Sequence, residues 1–113
     1  MIKIYHNPRC QKSREGLQLL QSTGEKIQVI KYLEEVPSEA ELTAIIKTLG
    51  ITPIELVRTK ENIWKENYKN KELSDQEIIR AMVENPRLIE RPIVIKDKKA
   101  VIGRPLEKIK GIL

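Results

Sequence analysis

The sequence predicts an α/β fold with a four-stranded mixed sheet, and three observations carry that expectation. Ile2-Lys3-Ile4-Tyr5 alternates apolar and polar residues as a half-buried strand does. A helical pattern with Leu17, Leu19 and Leu20 follows, then a β-branched and aromatic run (Ile27, Val29, Ile30, Tyr32). Strand, helix and strand within about 30 residues make a βαβ unit, whose two strands are parallel. Toward the other end, Pro92-Ile93-Val94-Ile95 and Ala100-Val101-Ile102 flank the charged turn Lys96-Asp97-Lys98-Lys99, the pattern of a hairpin.

The elements between these landmarks follow from caps and breakers. Asn7-Pro8 ends the first strand, and the first helix begins at about Cys10 or Ser13 and stops at Thr23-Gly24. Residues 27–33 form the second strand, which Pro37 closes off. Ser38-Glu39-Ala40-Glu41 is a capping box ahead of Leu42, Ile45, Ile46 and Leu49, with Gly50 as the stop. Thr52-Pro53-Ile54-Glu55 repeats the device and starts a short helix through Leu56, Val57 and Arg58. Ser74-Asp75-Gln76-Glu77 opens a third helix that runs to Asn85-Pro86. The polar residues 60–73, with Trp64 and Tyr68, carry no clear pattern. Pro105 opens a last helix with Leu106, Ile109 and Leu113. The expected order is therefore βα-β-(helices)-ββ-α in a single domain over residues 1–113, with a helical insert at about residues 38–85.

Composition narrows the function. With 40% hydrophobic and 33% charged residues the chain is an ordinary soluble mixture, and no apolar run approaches the roughly 20 residues of a membrane span. The N-terminus shows no export signal, and one cysteine cannot close an internal disulfide, so a cytoplasmic location is expected. A lone cysteine also rules out a thiolate-cluster metal site. The net charge of +5 favours an anionic partner. Four aromatics (Tyr5, Tyr32, Trp64, Tyr68) and dispersed basic residues argue against nucleic acid, so a small anion is the better reading.

The chemistry concentrates in Tyr5-His6-Asn7-Pro8-Arg9-Cys10-Gln11-Lys12-Ser13-Arg14, which holds the only cysteine and the only histidine of the chain. A thiol reacts as its thiolate, and nearby cations or a helix N-terminus lower its pKa. Arg9, Lys12 and Arg14 supply charge, and the helix downstream supplies the terminus. Arg14 follows Cys10 too closely for the Cys…Arg loop of a tyrosine phosphatase. Ser13 fits a helix cap and, one turn on, stands within reach of the sulfur.

Ile4-Tyr5-His6-Asn7-Pro8-Arg9-Cys10 with Ser13-Arg14 resembles the arsenate reductases of the glutaredoxin-coupled type. So do Tyr32-Leu33-Glu34, Arg58 after Leu56-Val57, Asn85-Pro86, Glu90-Arg91-Pro92-Ile93-Val94 and Gly103-Arg104-Pro105. The match runs in order along nearly the whole chain, to a compact branch of the family. It implies a thioredoxin-like fold with the helical insert between the second and third strands and the reactive cysteine between the first strand and helix.

The resemblance also implies roles. Cys10 attacks arsenate, Arg58, Arg91 and Arg104 hold the oxyanion, His6 tunes the thiolate, Ser13 supports it, and Pro92 matches the cis-proline of the fold. Arginine suits this task because its planar fork meets tetrahedral oxyanions bidentately and keeps its charge. No cofactor is bound. Because no second cysteine exists, the resolving thiol must come from outside, and the resemblance supplies glutathione as co-substrate and glutaredoxin as partner, with arsenite as product. Two other readings compete: a glutathione-dependent thiol oxidoreductase on another substrate, and a binding module similar to the Spx regulators of RNA polymerase. The latter typically sense oxidation through Cys-x-x-Cys, where this chain has Ser13.

Overall fold

The computed structural model describes all 113 residues, Met1–Leu113. Its elements run β1 (Ile2–Tyr5), α1 (Gln11–Gln21), β2 (Ile27–Ile30), α2 (Glu39–Leu49), α3 (Asn62–Asn67), α4 (Asp75–Glu84), β3 (Ile93–Lys96), β4 (Lys99–Ile102) and α5 (Glu107–Lys110). Short 3-10 turns occupy Pro53–Leu56 and Pro86–Leu88. The sheet order is β2-β1-β3-β4, with β1 parallel to β2, and β3 antiparallel to both β1 and β4. This is the four-stranded mixed sheet of a thioredoxin-like fold.

The chain divides into two compact units. The first, Met1–Glu35 with Arg91–Leu113, holds the sheet, α1 and α5; the second, Val36–Glu90, holds α2, α3, α4 and both 3-10 turns.

In the first unit the period of two puts Ile2 and Ile4 in the core and leaves Lys3 exposed. Ile4 pairs with Val29 on one side and Val94 on the other. Ile2, Ile4, Leu20, Val94 and Ile109 are all 0% exposed and form one cluster. Burying each contributes about 1.5–3 kcal/mol. Gly16 is needed in α1 because a Cβ there would lie 3.1 Å from Pro92 Cγ and 3.2 Å from Ile109 Cδ1. The helix thus runs tight against the residue that leads into β3. The β3–β4 turn places Asp97 at φ 55, a conformation that a short polar side chain tolerates.

In the second unit the caps act as their sequences suggest, with one variation. Ser74 accepts from the Glu77 N–H while the Glu77 carboxylate accepts from the Ser74 N–H, a complete capping box. Ser38 accepts from the Glu41 N–H, but the Glu41 carboxylate takes the Ser38 hydroxyl rather than its backbone N–H. Gly50 ends α2 at φ 70, its N–H bonded to the carbonyls of Ile46 and Lys47.

Several boundaries differ from expectation: α5 begins at Glu107 and ends at Lys110, short of Leu113, and Lys96 and Lys99 of the charged turn belong to β3 and β4. β2 stops at Ile30, not residue 33, because β1 ends at Tyr5 and the ladder closes with His6 N–H to the Ile30 carbonyl; Lys31 then opens a turn to Glu34 and Glu35. The helix after Pro53 ends at Leu56, since Val57 instead bridges Ile89. Residues 60–73 contain α3, whose Trp64 is buried and stacks on Tyr68 with ring centroids 5.4 Å apart. A six-residue helix held by one aromatic pair is too short for a periodic signal.

Leu20→Ala should cost about 2–5 kcal/mol through the cavity it leaves. Ser74→Ala should cost only about 1 kcal/mol, the worth of a cap. Urea unfolding of both variants checks the ranking, and equal losses would contradict this account of the core.

Candidate active site

The sharp passage from β1 to α1 places Cys10. Asn7 Oδ1 accepts from the Arg9 N–H at 3.0 Å and the Asn7 carbonyl accepts from the Cys10 N–H at 3.0 Å, an Asx-type turn tied off by Pro8. Cys10 then occupies the N-cap of α1 with extended backbone (φ −97, ψ 121), so the unpaired N–H groups of the first turn open toward its side chain. Ser13 is therefore not the helix cap that its residue type suggested. It lies inside the first turn and is fully buried.

Two arginines of the same unit reach the half-buried sulfur. Arg104 Nη2 lies 3.4 Å from Cys10 Sγ, and Arg104 Nε donates to the Arg91 carbonyl at 2.7 Å, which fixes the direction of the fork. The Arg91 guanidinium acts on the sulfur by hydrogen bond and by charge. Arg91 Nε is buried without a hydrogen-bond partner, a strong donor beside the thiol. Burial alone would push the Cys10 pKa up. The N–H of Ser13, the Arg91 guanidinium and the N–H of Lys12 outweigh it and hold the thiol below its ordinary range. Arg91-Pro92 and Arg104-Pro105 are both cis, and the Pro92 carbonyl accepts from the Gly103 N–H at 2.8 Å, so the segments carrying the two arginines are bonded to each other.

Ser13 is the node beneath the loop. Its Oγ accepts from the Asn7 N–H at 3.0 Å and stands 2.6 Å from His6 Nδ1. His6 is buried, and burial together with the charges of Lys31 and Arg14 lowers its pKa against a smaller opposing effect of the Ser13 bond. Burial and the two cations thus disfavour the charged imidazole, and Ser13 Oγ and His6 Nδ1 share one short hydrogen bond. His6 thus bonds Ser13, and only through Ser13 does it meet the turn that presents Cys10. Arg14 turns back to cap the Pro8 carbonyl at 2.9 Å.

Arg58 belongs to the other unit. There its Nη1 lies 2.9 Å from Glu61 and its Nε 3.4 Å from Glu90, while its N–H donates to the Leu88 carbonyl at 2.7 Å. No group of three or more His, Cys, Asp or Glu side chains lies together as a metal site would require, and no helix is long and apolar enough to cross a membrane.

Sequence reasoning passed over Asn7, which makes three of the contacts that shape the turn; an Asn before a proline was the available signal. It also passed over Glu61 and Glu90, whose pairing with Arg58 has no short-range signature beyond an i, i+3 spacing for Glu61.

Comparison with known proteins finds relatives along the whole chain. A model of the ArsC family matches residues 5–112. The chain is 48% identical to the uncharacterised protein YfgD of Escherichia coli, over 99% of this chain and 96% of that one. It is 46% identical to an arsenate reductase of Haemophilus influenzae, over 99% and 98%. The solved structure of an arsenate reductase from Vibrio cholerae superposes with a TM-score of 0.94 at 47% identity, over 99% of this chain and 97% of that one. With a family model spanning nearly its full length and near-half identity to several of its relatives, this chain belongs to the ArsC family.

Proposed function

We propose that this protein is an arsenate reductase in which Cys10 is the nucleophile and Arg91 and Arg104 hold the oxyanion. The observation that carries the reading is the meeting of both guanidiniums with one thiol of lowered pKa at a helix N-terminus. Arg58 joins them by family resemblance, which the relatives named arsenate reductase support.

The chemistry follows from the charges. The Cys10 thiolate attacks arsenic, and one arsenate oxygen leaves as water after protonation, giving a sulfur–arsenic(V) adduct. A glutathione thiolate then attacks the Cys10 sulfur. The electron pair of the sulfur–arsenic bond passes to arsenic, which departs as arsenite, and a mixed disulfide remains. Glutaredoxin takes the glutathionyl group and returns the Cys10 thiolate. One chain holds one sulfur, so both later steps need thiols from outside, in a reducing compartment such as the cytoplasm.

The direct test is arsenate-dependent NADPH oxidation coupled through glutathione and glutaredoxin, with arsenite measured as product. Cys10→Ser should abolish it. Arg91→Ala and Arg104→Ala should each lower kcat/KM by about 100- to 1,000-fold, the scale of losing one oxyanion donor. Full turnover of wild type on disulfides with none on arsenate would favour a thiol oxidoreductase instead.

The thiol has its own signature. The rate of Cys10 alkylation by iodoacetamide against pH should give a pKa below the roughly 8.5 of a free thiol, and Arg91→Ala should move it upward. An unshifted profile removes the electrostatic argument.

His6 gives the stability of the fold a pH dependence. Its folded-state pKa is depressed, so its contribution is present above the unfolded value near ~6.5 and is lost as pH falls through the folded value. Wild type should therefore lose stability between about pH 7 and pH 5.5 more steeply than His6→Gln, read by urea titration at each pH.

A further inference from the structure

A cleft of about 260 Å³ opens beside the loop that leads into Cys10. The segment after β1 lines it with His6, Asn7, Pro8 and Arg9, and the segment after β2 with Lys31, Leu33 and Glu34. Both segments stand at the carboxyl ends of the parallel pair β1 and β2, the region where open α/β sheets bind ligands. The volume is just under the ~300–1,000 Å³ of ordinary ligand clefts, so it suits a small molecule lying partly in solvent.

The lining has a definite charge pattern. Arg9 and Lys31 offer two cations, Glu34 offers one anion, and Pro8 with the exposed Leu33 gives an apolar strip between polar ends. None of these three charged side chains is engaged in an ion pair. Arg9 immediately precedes Cys10, and the Asn7 carbonyl holds the Cys10 N–H, so the cleft and the reactive sulfur share one rigid turn. A ligand matching this pattern carries two carboxylates and one ammonium on a short, flexible, partly apolar frame. Arsenate does not: it has no cationic end, and it is already served by Arg91 and Arg104.

We propose that this cleft is the binding site for the external thiol, a small peptide-like thiol with two carboxylates and one ammonium group. The assignment rests on the proposed single-sulfur chemistry, which requires such a thiol without saying where it docks. Arg9 and Lys31 take the carboxylates, Glu34 takes the ammonium, and the thiol arm passes along Pro8 toward Cys10. Uniform attraction by a basic protein would accept any anionic thiol; the Glu34 contact selects for the zwitterion.

The test uses no arsenate, so it stands or fails separately from the reductase assay. Cys10 is converted to its mixed disulfide with thionitrobenzoate, and release of that chromophore is followed with glutathione or with uncharged 2-mercaptoethanol. Glutathione attacks the disulfide, forming a new sulfur–sulfur bond as thionitrobenzoate leaves with the electron pair. The rate should saturate with glutathione and rise linearly with 2-mercaptoethanol. Arg9→Ala and Lys31→Ala should each slow glutathione by about threefold at subsaturating concentration, and the double variant by about tenfold, the range of partly exposed ion pairs. Glu34→Gln should slow glutathione more than it slows glutathione lacking its amino group. Lys31→Ala and the Glu34 variant should leave 2-mercaptoethanol unchanged. Binding of S-methylglutathione, followed by amide shifts of the native protein, should perturb residues 6–9 and 31–34. Equal losses with both thiols, linear kinetics with glutathione, or shifts confined to the Arg91 and Arg104 segments would overturn the assignment.

Discussion

A cysteine sulfur at the N-cap of α1, faced by two guanidiniums that lower its pKa, is the interaction around which the first unit's loops are arranged. The difficulty is electrostatic. A thiolate and an oxyanion repel each other, by roughly 4 kcal/mol per pair of unit charges at 4 Å in a surface-like dielectric. Left uncorrected, that repulsion would cost several orders of magnitude in encounter and reaction. Arg104 at 3.4 Å from the sulfur, Arg91 beside it and the N–H groups of the first helical turn provide positive charge of the same magnitude at the same range. Because these groups stand in place before any substrate arrives, no reorganisation is needed as the sulfur forms its bond.

Such a cluster of like charges needs a frame that holds it, and the frame is built from backbone contacts. Arg104 donates to the Arg91 carbonyl, and Gly103 donates to the Pro92 carbonyl, so the two segments carrying the arginines hold each other. Gly16 lets α1 approach Pro92 closely, which brings the helix that carries Cys10 against the same segment. Beneath the sulfur, Ser13 joins His6 and Asn7 with every polar atom of its hydroxyl in use. A protonated ring would compete with Lys31 and Arg14 for space that already holds positive charge.

The fold was legible in the sequence where one side of each element faces the core. β1, β3 and β4 lie where alternation and the charged turn put them, and the caps at Ser38 and Ser74 fix the starts of α2 and α4. What escaped is decided by partners distant in sequence. β2 ends where β1 ceases to offer hydrogen bonds, and Val57 leaves its helix to bridge Ile89, thirty-odd residues along the chain. The site divides the same way. Cys10 announces itself by its cations and its position before a helix. That Ser13 serves His6 and Asn7 rather than the helix end could not be read from its spacing, because a serine three residues after a cysteine has the same sequence in either role.

Arg58 shows how the remaining charge is managed. Two carboxylates hold it, Glu61 at 2.9 Å and Glu90 at 3.4 Å, where Arg91 and Arg104 are steered by backbone carbonyls or sulfur. A guanidinium fork has more N–H donors than two carboxylates occupy, so the pairing orients Arg58 without exhausting it. It does offset its charge, however. Near Cys10 the positive charge comes from Arg104, whose Nη2 lies 3.4 Å from the sulfur, and from Arg91.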